Sequence, residues 1–238
     1  MNNIKKNNVA PFKEFDDAKT RYIKMTFNAT YVLLMTTGTI TFIEALRTEI
    51  PEVRHIMNIE TVISIIAAYF YSKFTENVKE SEDKNITLDF YKINLTRYTD
   101  WMITTPFMIL GLCLVLSYNS GVKLNLLTFS TLLVLDFAMI GLGYLGEVGT
   151  INKNIAFVTS FMCFFLLFAL IAMTFLRTKY SLPNIISFLS FFIIWSIYGL
   201  VHYLDEKTKN IVYNCLDAIA KCFIGIFFWA YFTKIIVI

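Results

Sequence analysis

Seven long apolar runs, each closed by a polar or turn-rich break, organise this sequence. They cover about residues 25–46, 56–74, 93–118, 124–146, 154–176, 182–204 and 211–236. Each is close to the roughly 20 residues that a helix needs to cross a hydrocarbon layer about 30 Å thick. The runs are continuous rather than alternating apolar and polar, which excludes a β-barrel. Apart from one polar stretch at 75–92 the breaks are short, so neighbouring helices pack antiparallel. The pattern predicts an all-α membrane protein, a seven-transmembrane-helix bundle over residues 25–236 behind a polar N-terminal tail at 1–24. That tail lacks the apolar stretch of a cleavable signal peptide.

Composition narrows the class. Of the 238 residues, 56% are hydrophobic and 16% charged, with a mean hydropathy of +0.58. Soluble domains carry about 25% charged residues. Charge this sparse excludes a soluble enzyme, a disordered chain and a protein that binds nucleic acid through a basic surface. The expected partner is a lipid bilayer, and a net charge of +3 adds no strong electrostatic one. Cys113, Cys163, Cys215 and Cys222 all lie in apolar runs without CxxC spacing, so they read as core hydrophobes rather than disulfides or metal ligands. The NxT triplets at Asn28, Asn85 and Asn94 are too common a pattern to assign a compartment.

The exceptions to this sparseness carry the chemistry. Glu60, Arg97, Asp100, Asp136, Asp217 and Lys221 stand inside the runs, where ionisable groups are costly and usually functional. Glu60 could instead sit at an interface, and Arg97 could snorkel from a helix end. Asp217 and Lys221 are four apart and share a helix face, which also allows a plain ion pair; Arg97, Asp100 and Thr104 form a second stripe, followed by Pro106. Two helices thus present carboxylates, one arginine and one lysine among aromatic residues. A buried amine can condense with an aldehyde, and Asp100 and Asp217 would neutralise the protonated Schiff base that results. The chemistry asks for an elongated hydrophobic aldehyde.

The string from Arg97 to Pro106, read RYTDWMITTP, resembles the third-helix signature RYxDWxxTTP of microbial (type 1) rhodopsins. Asp217 to Lys221 resembles the family's DxxxK retinal-binding segment, and the stretch from Asp136 through Met139, Gly141 and Gly143 resembles the part of the fourth helix beneath the retinal ring. The likeness spans nearly the whole chain. The Asn-, Lys- and Ile-rich composition and short loops are similar to rhodopsins of giant algal viruses.

The resemblance implies a retinal pocket in the centre of the bundle, with all-trans-retinal carried by Lys221 as a protonated Schiff base. By the same resemblance Asp100 is the primary counterion and proton acceptor, Asp217 the second counterion, and Arg97 their outer-side partner. Thr104 hydrogen-bonds Asp100; Tyr71, Trp101, Thr105, Met139 and Gly143 line the polyene; Thr105 and Asp136 form an interhelical pair. Trp195 and Tyr198 match the sixth-helix clamp, with Gly199 where proline is common; in another register Phe188 and Trp195 are the clamp aromatics. The family also implies an N-terminus outside and a homo-oligomer. Lysine and arginine placement opposes that orientation: of 19 such residues outside the membrane core, only Arg47, Arg54, Lys123, Arg177, Lys179 and Lys234 would lie inside, against the positive-inside tendency.

One departure from the family decides the functional options. Gly111, 11 residues and about 16 Å beyond Asp100 along the helix, stands where bacteriorhodopsin-like proton pumps carry the carboxylate that reprotonates the Schiff base. Asp100 itself excludes the usual chloride-pump pattern. Glu60 is the candidate substitute donor or a pore residue, and Glu44 could extend either route. Asp205 and Glu206 lie in the final loop, but no convincing pair of release carboxylates is evident. Three readings follow: an outward proton pump with Asp100 as acceptor, a light-gated cation channel, and a photosensor. The first two transport H+ or another cation, and none is an enzyme.

Overall fold

The computed structural model describes residues 18–177 and 180–237. The tail at 1–17, with Thr178 and Lys179, lies outside the described residues. Among the described residues the chain is helical, with seven helices long and apolar enough to cross a bilayer. These are α1 (Ala18–Arg47), α2 (Pro51–Lys84), α3 (Phe90–Ser120), α4 (Leu126–Glu147), α5 (Lys153–Leu176), α6 (Leu182–Val201) and α7 (Glu206–Phe232). Successive helices run antiparallel, giving an N-terminal face, where α1 begins, and an opposite C-terminal face.

The breaks fold as capping residues dictate. Pro51 opens α2, its missing N–H being one that no helix start can satisfy internally. Asn85, at φ 51°, closes the same helix in the left-handed region, and Gly121 at φ 76° does so for α3. Asp89, Asn125, Asn152 and Asp205 cap the starts of α3, α4, α5 and α7, each side chain accepting a main-chain N–H.

Two helices extend beyond the apolar runs. α1 begins at Ala18 rather than Met25, and α2 continues to Lys84 through what reads as a polar loop. Apolarity marks only the part of a helix inside the hydrocarbon. Past it, α2 is supported by the Lys84–Glu80 and Lys73–Glu76 pairs, by Lys24 of α1 on Glu82, and by Val78 buried at 1% exposure.

Apolar side chains such as Val32, Ile65, Val134, Leu166 and Ile193 are exposed on the outside, while Arg97, Asp100, Asp217 and Lys221 are buried at the centre. That is the inverse of a soluble protein and suits a lipid surround. α7 is the axial element, with 61% of its most apolar stretch buried against 17% for α4. An aromatic core packs α3, α5, α6 and α7 towards the C-terminal face, and a second joins α1, α2 and the start of α3.

Candidate functional site

α3 and α7 bring Asp100, Lys221 and Asp217 together at the bundle axis, all at 1% exposure or less. The Lys221 amine donates to Asp100 Oδ2 at 2.7 Å and lies 3.5 Å from Asp217 Oδ1. α7 is not uniformly α-helical here: residues Ala218–Phe223 form a π-helical turn that contains Lys221. Such a turn widens the helix and shifts where its side chains point, a common device at functional sites.

The two carboxylates differ in surroundings. Asp217 accepts from Tyr71 at 2.7 Å, Tyr198 at 2.7 Å, Arg97 at 3.1 Å and Trp101 at 3.4 Å. Asp100 receives Lys221 on Oδ2, while its Oδ1 has no hydrogen-bond partner among the described residues. Thr104 does not bond the Asp100 carboxylate. Its hydroxyl donates at 2.8 Å to the Asp100 main-chain carbonyl, because a threonine four residues on reaches that oxygen within its own helix turn.

Arg97 lies one helix turn nearer the N-terminal face. Its two terminal nitrogens reach Tyr71, Asp217, Asn210 and Asn214 at 2.7–3.2 Å. It is not snorkelling: its guanidinium is 1% exposed and sits 4.9 Å from the Phe74 ring centroid.

A cavity runs sideways from Lys221 between α3, α4, α5 and α6. Trp101, Thr105, Met139, Gly143, Trp195 and Tyr198 line it, and the Thr105 hydroxyl donates to Asp136 of α4 at 2.7 Å. Tyr71 does not line it; its hydroxyl is held by Asp217 and Arg97 on the far side of α7. In α6 the cavity takes Trp195 and Tyr198, whereas Phe188 packs on Phe168 and Phe192. Gly199 faces the Phe161 ring so closely that a side chain there would displace it. An amine in the wall of an apolar and aromatic cavity fits a hydrophobic aldehyde.

Towards the C-terminal face Glu60 is buried at 2% exposure, with its carboxyl between Gly111 of α3 and Gly225 of α7. It is therefore not an interfacial residue. Glu44 is only half-buried.

Sequence reasoning missed the group at the N-terminal face. Asn94 donates to both Glu147 at 2.7 Å and Glu206 at 2.8 Å, and the Lys209 amine donates to the same two carboxylates at 3.0 and 2.8 Å. His202 Nδ1 lies 3.4 Å from Glu147. The network ties α3, α4 and α7 to the residue that follows α6, and Asn210 links it inward by accepting from Arg97 and donating to Asn94 at 3.2 Å each. A carboxylate pair thus exists where none was evident, but Lys209 bridges it. Asn94 is 4% exposed, so its NxT triplet cannot carry a glycan in the folded chain. The readable signal was a stripe: 206, 210, 214, 217 and 221 recur at three- and four-residue spacing on α7. Lys209→Met would leave Glu147 and Glu206 facing each other without their cation. It is expected to lower stability by about 3 kcal/mol, read as a lower midpoint in thermal unfolding of the detergent-solubilised protein. An unchanged midpoint would mean that the bridge contributes nothing.

Comparison with known proteins places these features in a family. The profile described as "Bacteriorhodopsin-like protein" matches residues 23–235. The crystal structure of the viral rhodopsin OLPVRII is similar at 40% identity and a TM-score of 0.82, over 90% of this chain and 99% of that one. Xanthorhodopsin, described as a light-driven ion pump with dual chromophore, is similar at 17% identity and a TM-score of 0.72, over 89% of this chain and 92% of its own. The proton-pumping rhodopsin AR2 of the marine alga Acetabularia acetabulum is similar at 18% identity and a TM-score of 0.70, over 90% and 96%. No curated protein matches the chain. Seven helices around a buried, carboxylate-paired lysine, matched from residue 23 to residue 235, make this chain a member of the bacteriorhodopsin-like family of microbial rhodopsins.

Proposed function

We propose that the protein carries all-trans-retinal on Lys221 as a protonated Schiff base and works as a light-driven outward proton pump, with its N-terminal face on the outer side of the membrane. One observation carries this reading: Asp100 and Glu60 stand on opposite sides of Lys221 along the bundle. Asp100 is 2.7 Å from the amine on the N-terminal side, and Glu60 packs at Gly225, four residues and about 6 Å beyond Lys221 on the C-terminal side. A vectorial device needs an acceptor and a donor so separated.

Retinal, when bound, supplies the light-driven isomerisation that redirects the proton on Lys221 Nζ. The chain's own residues do the rest. Asp100, the carboxylate that receives the amine at 2.7 Å, accepts that proton. Asp217, engaged by two tyrosine hydroxyls, the Trp101 indole and Arg97, remains the fixed countercharge. Trp101, Trp195 and Tyr198 hold the chromophore in line and keep water from it. Arg97, through Asn210 and Asn94, connects this centre to the outer carboxylates. Glu60 returns a proton to Lys221 from the other side. Two of the similar structures are of pumps, one of them a proton pump, which favours transport over sensing.

Voltage clamp of expressing cells tests the pump against a channel. The expected result is an outward photocurrent at every holding voltage. A current that reverses sign with the cation gradient would overturn the pump in favour of a light-gated cation channel.

A further inference from the structure

Two glycines face the Glu60 carboxyl from two different helices. A Cβ added at Gly111 would stand 3.1 Å from Glu60 Oε1, and one at Gly225 would stand 3.1 Å from Glu60 Oε2. Both glycines are mid-helix, where glycine is intrinsically unfavourable relative to alanine, and neither has the positive φ that would require glycine. Local structure therefore gives no reason for either. Packing gives one: the volume that a side chain at 111 would fill holds the carboxyl of a residue from α2.

We infer that Gly111 and Gly225 are positioning residues that form a berth for the Glu60 carboxyl, so that the carboxyl on the C-terminal side of Lys221 is delivered by α2 into the side-chain volume of α3. This rests on Glu60 being the proton donor proposed above. The berth sets the reach of the carboxyl. Gly225 is on the helix of Lys221 and one turn away, so Glu60 must come against α7 to serve the amine. Any side chain at 111 competes for the same space.

The berth has a graded and a reciprocal consequence. At Gly111, alanine meets only the flexible end of Glu60 and the Ile59 methyl at 3.5 Å, so the carboxyl shifts by a few tenths of an ångström and the helix stays intact. Gly111→Val fills the berth and evicts the carboxyl. At Gly225 an alanine also meets the Thr37 methyl at 2.9 Å, so that variant disturbs α1 and is the poorer test. Conversely, a carboxylate grown from position 111 should serve where Glu60 has been removed.

The test is flash photolysis of the retinal-reconstituted full chain in detergent. It follows the return of the Lys221 proton through visible absorbance and needs no transport. Glu60→Gln is expected to slow that return on the order of a hundredfold, the lower end of what a placed acid contributes. Gly111→Val should slow it equally, Gly111→Ala severalfold, and added azide, a diffusible proton donor, should restore all three. The double variant Glu60→Ala with Gly111→Asp should recover to within about tenfold of the natural chain. The carboxyl C=O stretch of Glu60 in the infrared difference spectrum, identified by its loss in Glu60→Gln, should move in Gly111→Ala. If Glu60→Gln is slow while Gly111→Val and the infrared band are unchanged, the berth is wrong and the donor stands. If Glu60→Gln leaves the return unchanged, the donor reading falls and the berth with it.

Discussion

Replacing Lys221 with alanine is expected to give a protein that folds, accepts no retinal and shows no visible band. Lys221 is 1% exposed, lines the cavity and has its amine held by a 2.7 Å bond to Asp100. Among the side chains lining that cavity no other primary amine is present, so no second nucleophile can form the linkage. The π-helical turn at Ala218–Phe223 is a backbone feature, so stability is a separate question from the linkage. Alanine leaves Asp100 without its cation, and breaking a buried pair from one side typically costs about 3–5 kcal/mol. Lys221→Arg separates the two effects. A guanidinium keeps the charge between Asp100 and Asp217 but does not condense with an aldehyde under these conditions. Lys221→Arg is thus expected to be colourless and nearer the natural chain in thermal stability than Lys221→Ala. Absorbance after reconstitution with all-trans-retinal, with circular dichroism as the check of folding, decides it. A visible band retained in either folded variant would overturn the assignment of Lys221.

Why Lys221 stands out in the sequence, while the Lys209 network leaves only a faint stripe on α7, is a matter of background. Lys221, Asp100 and Asp217 stand in apolar runs, where desolvation makes each charge conspicuous. Glu147, Glu206 and Lys209 stand at helix ends, where charged residues are ordinary, and their meaning lies in partners 62 and 3 residues away. Asn94, Asn210 and Asn214 carry no charge at all, yet they complete the line from Arg97 to the carboxylates at the N-terminal face. The seven helices were legible because a bilayer demands length and apolarity together. Their ends were not, since α1 and α2 continue on ion pairs once past the lipid. The π-turn has no spacing signature: Asp217 and Lys221 read as a simple four-residue pair. The family resemblance puts Tyr71 along the polyene; its hydroxyl instead donates to Asp217. Glu60 could be named from sequence as a buried acid, but that Gly111 is small on its account required the two helices to be seen side by side.

Asp100→Asn is expected to abolish the outward photocurrent and move the visible band to longer wavelength. The substitution keeps shape and removes only the charge and the basicity of the group 2.7 Å from Lys221 Nζ. An amide does not take up the proton, so the first transfer has no acceptor, and a decrease of at least about a hundredfold follows. The colour change has a separate cause. Excitation moves positive charge away from the Lys221 nitrogen along the chromophore, and a carboxylate at the nitrogen opposes that movement; without it the excitation needs less energy. Asp217, 3.5 Å away, remains as countercharge, so the Lys221 cation is not orphaned and the protein should fold. Asp217→Asn is expected to behave differently. Its carboxylate holds Tyr71, Tyr198, Trp101 and Arg97, and weakening that set at once should cost more folding stability than Asp100→Asn does. Measured side by side, the two variants should divide: one stable, red-shifted and without current, the other destabilised. Outward current surviving in Asp100→Asn would transfer the acceptor's role to Asp217, and the asymmetry between a carboxylate that receives the amine and one engaged by four other side chains would then not be what selects the path of the proton.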